Sequence, residues 1–179
     1  MSSSKKNAKK DVPGAAWKWH DWELLQQHVQ AAYGDLTAPR RAFVSKALHR
    51  QPYLDLIGVL SRYETVSDET DTNSDVSFNY LVGDGDPLFL RLSMVGRYAM
   101  LQADLDTPTP HVIEPGAKAA DGRIQAVLRA LSQGGLELLS SEQLSARVEL
   151  QLPDVADVRV YNALFAPEDD LPHPWTESA

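Results

Sequence analysis

The sequence contains no cysteine. That absence removes disulfides, thiolate zinc sites, iron–sulfur clusters and cysteine nucleophiles together, and it leaves the compartment open, because a chain without thiols suits either redox state. Also missing is any apolar run near the ~20 residues that a membrane span requires. The longest candidates are interrupted by Asp55, Gly58, Arg91 or Gly96, so a soluble protein with no membrane partner is expected. The lysine-bearing N-terminus leads into no apolar stretch and no small-residue cleavage site, which makes the cytoplasm the expected compartment.

Catalytic signatures are lacking as well. No Gly-x-Ser-x-Gly supplies a nucleophile on a strand-to-helix turn. The five histidines, His20, His28, His49, His111 and His173, show no His-Glu-x-x-His spacing, and His111 with Glu114 is their one local pairing of interest. Gly83-Asp84-Gly85-Asp86-Pro87 has two glycines of a dinucleotide loop, but Leu88 holds the third position and a strand follows where a helix N-terminus must receive the pyrophosphate. Asp71, Asn73 and Asp75 match the opening of a calcium loop, yet Val76 stands at its glycine and Val82 at its bidentate Glu. The first segment reads as a hairpin turn and the second as a solvated acidic loop. Neither a cofactor nor a metal ion is expected.

What is present is acidity. The net charge is −8; Lys5, Lys6, Lys9 and Lys10 against Asp11 place +3 in the first eleven residues, so −11 falls on the rest. Such a body opposes nucleic-acid binding by phosphate neutralisation and favours capture of cationic partners. Residues 1–14, poor in apolar side chains, are expected to form a disordered basic tail, and 15–179 a single α+β domain.

Apolar spacing predicts helices over 21–33, 37–50 and 117–133, the second capped by Thr37 and the third carrying the stripe Ile124, Val127, Leu128 and Leu131. The run 54–66 fits helix or strand and is read as a strand in its second half. Alternation over 76–82 and 88–94, with the turn residues between, predicts a hairpin, and 98–105 extends it to a meander of about four strands. After the helix, Ser141 offers a cap for one turn, and 148–152 and 158–164 alternate as two late strands. The expected fold is an antiparallel sheet of about five or six strands with helices mainly on one face.

Asp68, Glu69, Asp71 and Asp75 crowd one polar loop, and Trp17, Trp19, Trp22 and Trp175 place large aromatics near the chain ends. The three N-terminal tryptophans do not share one helix face, so Trp19 joins the four acids as an expected partner-binding residue. The leading expectation is a non-catalytic protein-binding module, of the bacterial immunity-protein kind, that neutralises a cationic protein. The alternatives are an enzyme or small-ligand protein with a dispersed site, for instance Tyr80, Arg91, Arg97 and His111, or a structural subunit of an assembly.

Overall fold

Successive side chains of a strand point to opposite faces, and the sheet of this protein uses that alternation to feed two cores. A computed structural model of the chain describes residues 16–108, 110–119 and 121–168. The expected tail at 1–14, and Trp175, lie outside the described residues. Strands β1 (Val66–Asp68), β2 (Ser77–Val82), β3 (Leu88–Ser93) and β4 (Tyr98–Ala103) form an antiparallel meander. The far edge of β4 is shared by two short pieces, β5 (His111–Val112), antiparallel, and β6 (Glu137–Leu138), parallel. The result is a six-stranded, mixed but mostly antiparallel sheet in an α+β fold. The hairpin between β2 and β3 needs its glycines: Gly83 has φ +97°, and a Cβ there would lie 2.6 Å from Arg123 Nη1.

On one face, Phe78, Tyr80, Val82, Leu88, Leu90, Leu92, Ala99 and Leu101 pack against α2 (Ala42–Arg50), α3 (Leu54–Leu60) and α4 (Gly122–Gln133). Asp121 caps α4 by accepting from Arg123 N at 2.8 Å, and Gly135 with φ +68° follows its end. The other face of β4 supplies Tyr98 and Met100 to a second core with Trp22, Leu25, Val29 and Tyr33 of α1 (Trp19–Tyr33). Leu144 of α5 (Ser141–Leu144) and all of α6 (Val160–Leu164) complete it. Helices thus stand on both sides, with α2, α3 and α4 together on one.

The second core has a polar seam. Because α6 is buried along its whole length, its terminal carbonyls need donors that water cannot supply. Tyr33 donates its hydroxyl to Ala163 O at 2.7 Å, and Ser93 Oγ donates to Leu164 O at 2.8 Å. Ser77 Oγ lies 3.1 Å from Phe165 O and 2.7 Å from Asn79 Oδ1. Asn162 Nδ2 reaches Ala166 O at 3.3 Å, while its Oδ1 accepts from Arg159 N at 2.9 Å. Burial raises the Tyr33 hydroxyl well above its ordinary range, so it remains a proton donor at neutral and mildly alkaline pH.

Several expectations are corrected. Thr37 does not cap α2: Asp35 Oδ1 accepts from both Thr37 N, at 2.8 Å, and Thr37 Oγ1, at 2.7 Å, which folds this stretch as a local turn. The helix starts at Ala42. The run 54–66 begins as helix, with Leu56 and Leu60 inward four residues apart, and its strand starts only at Val66. Ser140 rather than Ser141 caps the one-turn α5, accepting from Gln143 N at 3.1 Å. The late strands do not form. Leu150 and Leu152 are buried from an extended segment held by one isolated bridge between Arg147 and Arg159 and by a bond from Gln151 N to Leu36 O at 2.8 Å, and the chain then turns into α6, where five consecutive side chains are buried. In the α4 stripe, Leu131 is 2% exposed and Ala130 also faces inward, whereas Leu128 is half-buried at the rim.

Two stability differences follow, both measurable by urea unfolding. Leu131→Ala is expected to cost about 2–5 kcal/mol, as buried leucine truncations do, and Leu128→Ala distinctly less; equal costs would contradict this orientation of α4. Ser93→Ala, which strips the donor from the Leu164 carbonyl, is expected to cost about 1–3 kcal/mol, the penalty of an unsatisfied buried group.

Candidate functional site

The acidic loop takes its shape from its own carboxylates. Asp68 Oδ1 accepts from Thr70 N at 2.9 Å, and Asp71 accepts from Asn73 N at 2.9 Å and Ser74 Oγ at 2.7 Å. Asp75 Oδ2 accepts from Asp71 N at 2.7 Å and from Asn79 Nδ2 at 2.8 Å, so it ties the loop to the start of β2. Glu69 Oε1 accepts from Ser67 Oγ at 2.7 Å. These are the short-range side-chain to backbone bonds that Asp, Ser and Thr make in turns. Asp71 and Asp75 each accept two of these bonds and so hold the loop, while Asp68 and Glu69, each accepting one, sit exposed on and just beyond β1.

Sheet register adds acids that are distant in sequence. Val66 pairs with Val82, and Gly83 N donates to Thr65 O at 2.8 Å, which brings the β2–β3 turn beside the start of β1. There Thr65 Oγ1 donates to Asp84 Oδ2 at 3.0 Å. The β1 edge therefore carries Asp68 and Glu69 at its C-terminal end and Asp84 beside Thr65 at its N-terminal end, with Glu64 and Asp86 next to Asp84. Two arginines bound this patch: Arg123 Nη1 donates to Asp86 O at 2.9 Å and Arg41 Nη1 to Ser74 O at 3.3 Å. Residues 68–75 and 84–86 form separate turns at opposite ends of β2, and the pairing of Val66 with Val82 sets their acids at the two ends of the one β1 edge.

Trp19, on the first turn of α1, is 42% exposed and belongs to a different element from the loop. Neighbouring Trp17 and Trp22 are buried, their rings 5.6 Å apart, and Trp17 Nε1 donates to Gln143 O at 3.2 Å.

The residues of the dispersed alternative do not converge. Tyr80 belongs to the core under α2–α4, whereas Arg91, next to it in register, projects from the opposite face, its guanidinium 4.7 Å from the Phe89 ring centroid. Arg97 lies over Tyr53 and donates to Gly134 O, and His111 Nδ1 pairs with Asp104 Oδ2 at 2.7 Å. Glu114, the expected companion of His111, instead accepts from Ser141 Oγ at 2.6 Å. Among the described residues no three His, Asp or Glu side chains come together as a ligating group.

A concave surface exists elsewhere. An open groove of about 770 Å³ runs between α1 and the extended C-terminal segment, lined by Trp22, Gln26, Leu36, Arg147, Leu150 and Asp157 among others. Within its wall Arg147 Nε and Asp157 Oδ1 are already paired at 3.2 Å, and Arg159 shares the same carboxylate.

No family model, curated protein or solved structure matches the chain.

Asp75 and Asp71 are displaced in opposite directions. Burial of Asp75 penalises its charged form and raises its pKa from the ordinary 3.8, whereas hydrogen bonds from Ser74 and Asn73 lower that of exposed Asp71. A raised folded-state value means the native chain holds that proton more tightly than the unfolded chain. The contribution of Asp75 is thus fully present below the unfolded value and lost as pH rises through the folded one; that of Asp71 is present above the unfolded value and lost as pH falls. Carboxyl-carbon NMR titration is expected to place the Asp75 midpoint above that of Asp71, and the reverse order would refute this account of the loop.

Proposed function

We propose that the chain is a non-catalytic protein-binding module that captures a cationic partner protein on its acidic β1 edge, in the manner of a bacterial immunity-type inhibitor. The observation that carries this reading is the row of exposed acids along the β1 edge, Asp68 and Glu69 at one end and Asp84 against Thr65 at the other. Coulombic attraction between exposed charges is screened by water at short range, so such a patch acts mainly by steering encounter and rejecting acidic competitors. Asp68 and Glu69 are the residues that meet the partner. Asp71 and Asp75 act behind them by fixing the loop, and Trp19 supplies a separate exposed aromatic contact.

A small-ligand protein is the second reading, and the groove beside Trp22 and Arg147 is what favours it. Nothing in that groove resembles an activated nucleophile with its base, so this reading is one of binding rather than catalysis.

Affinity capture from the producing cells with mass spectrometry identifies the partner, and stopped-flow mixing then measures its association. Replacing Asp68 with Asn and Glu69 with Gln is expected to slow association severalfold at ~0.1 M salt, where the Debye length is ~10 Å, and the difference should vanish at ~1 M, where it is ~3 Å. Dissociation should change far less. An association rate indifferent to both the substitutions and salt would remove the reading, as would a saturable rise of Tm with calcium, which would make the loop a metal site.

A further inference from the structure

The same edge of the sheet is also a free main-chain edge. β1 joins the sheet through β2 alone. The bonds from Glu69 N to Asn79 O and from Gly83 N to Thr65 O, both 2.8 Å, fix the phase of that ladder. Residues of an antiparallel strand alternate between exchanging both main-chain bonds with one neighbour and aiming both away from it. Thr65, Ser67 and Glu69 therefore face β2, and Val66 and Asp68 aim their N–H and C=O groups outward. Among the described residues none bonds to these four groups, and Thr65, Ser67, Asp68 and Glu69 are all exposed. The opposite side of the meander differs, because β5 and β6 take up the outward groups of β4, with Ile113 N bonding to Leu101 O and Leu139 N to Ala99 O.

An unpaired edge is a template for another strand, and its side chains decide which strand. A second copy of this chain would bring its own Asp68 and Glu69 against these, and like charges facing each other across a ladder are destabilising. We infer that β1 accepts an extended Lys- or Arg-bearing segment of its partner as an added strand, with Val66 and Asp68 supplying the main-chain bonds. This inference rests on the cationic-partner reading and specifies how that partner is held. Asp68 lies on the Tyr80 face of the sheet and Glu69 on the other, so adjacent basic residues in the incoming strand each meet a carboxylate. Main-chain bonds supply attachment, and the two carboxylates supply the choice of sequence.

The probe is a synthetic nine-residue peptide of Lys, Val and Thr, blocked at both ends, compared with the same peptide carrying Glu at every Lys and with a version N-methylated at alternate residues. Binding to the full chain is read by calorimetry, and amide exchange by NMR. The Lys peptide is expected to bind and to slow exchange of the Val66 and Asp68 amides at least tenfold, while the Ser67 amide, already bonded to β2, changes little. The N-methylated and Glu peptides should bind at least tenfold more weakly. Asp68→Pro removes an outward N–H at an edge position that tolerates proline and should abolish binding; Asp68→Asn keeps that N–H and should weaken binding by less.

Strand addition is overturned if the Lys peptide binds without protecting Val66 and Asp68, if N-methylation or Asp68→Pro leaves its affinity unchanged, or if it does not bind at millimolar concentration. Salt-sensitive binding without amide protection leaves the cationic-partner reading standing alone. Equal protection by the Lys and Glu peptides leaves strand addition standing and removes the charge preference.

Discussion

The structure depends on satisfying the carbonyls at the end of one short buried helix. α6 has five residues, too few to be stable by itself, since helix nucleation is unfavourable and short helices rely on tertiary contacts. The carbonyls of its last two residues, Ala163 and Leu164, and of Phe165 and Ala166 just after it are buried, and an unpaired buried acceptor costs about 1–3 kcal/mol. Each finds a partner group from a different part of the chain: Tyr33 from α1, Ser93 from β3, Ser77 from β2, and Asn162 from the helix itself. The seam therefore joins four elements through directional bonds within an otherwise apolar core.

That requirement explains the polar residues inside the sheet. Ser77, Asn79 and Ser93 alternate with Phe78, Tyr80 and Leu92, so one face of β2 and β3 is apolar under α2–α4 and the other carries hydroxyls and an amide under α6. Two cores with different chemistry share one sheet. α1 and the C-terminal segment can close the second core because large side chains, Trp22, Tyr33 and Leu150 among them, surround the seam and keep water from it.

With both faces occupied and the β4 edge taken by the two-residue β5 and β6, β1 ends the other side of the sheet with its outer main-chain groups unpaired among the described residues. Proteins commonly protect such edges with short strands and charge; β1 has three residues and carries or adjoins Asp68, Glu69 and Asp84. In the proposed function, protection of the edge and selection of a cationic partner would be one arrangement. Asp71 and Asp75, by their bonds within the loop, set where the exposed carboxylates stand.

The sequence by itself determined the elements whose side chains repeat with a local period and whose ends carry their own turn chemistry. The β2–β3 hairpin, β4, α1 and α4 are of this kind, because alternation, glycine at positive φ and an aspartate cap act over a few residues. Tertiary structure decided the rest. Residues 148–152 alternate like a strand yet join no sheet, their main chain bonding instead to Val158 and Leu36, and 158–164 alternate too but become α6, since burying every side chain there satisfies the second core better than turning alternate ones outward. Likewise, the sequence displayed the acids of 68–75, but only antiparallel register placed Asp84 beside Thr65 and left Val66 and Asp68 facing outward. Local patterns fix which residues can form an element; which edge stays open depends on pairings between distant residues, and those are decided when the whole core packs.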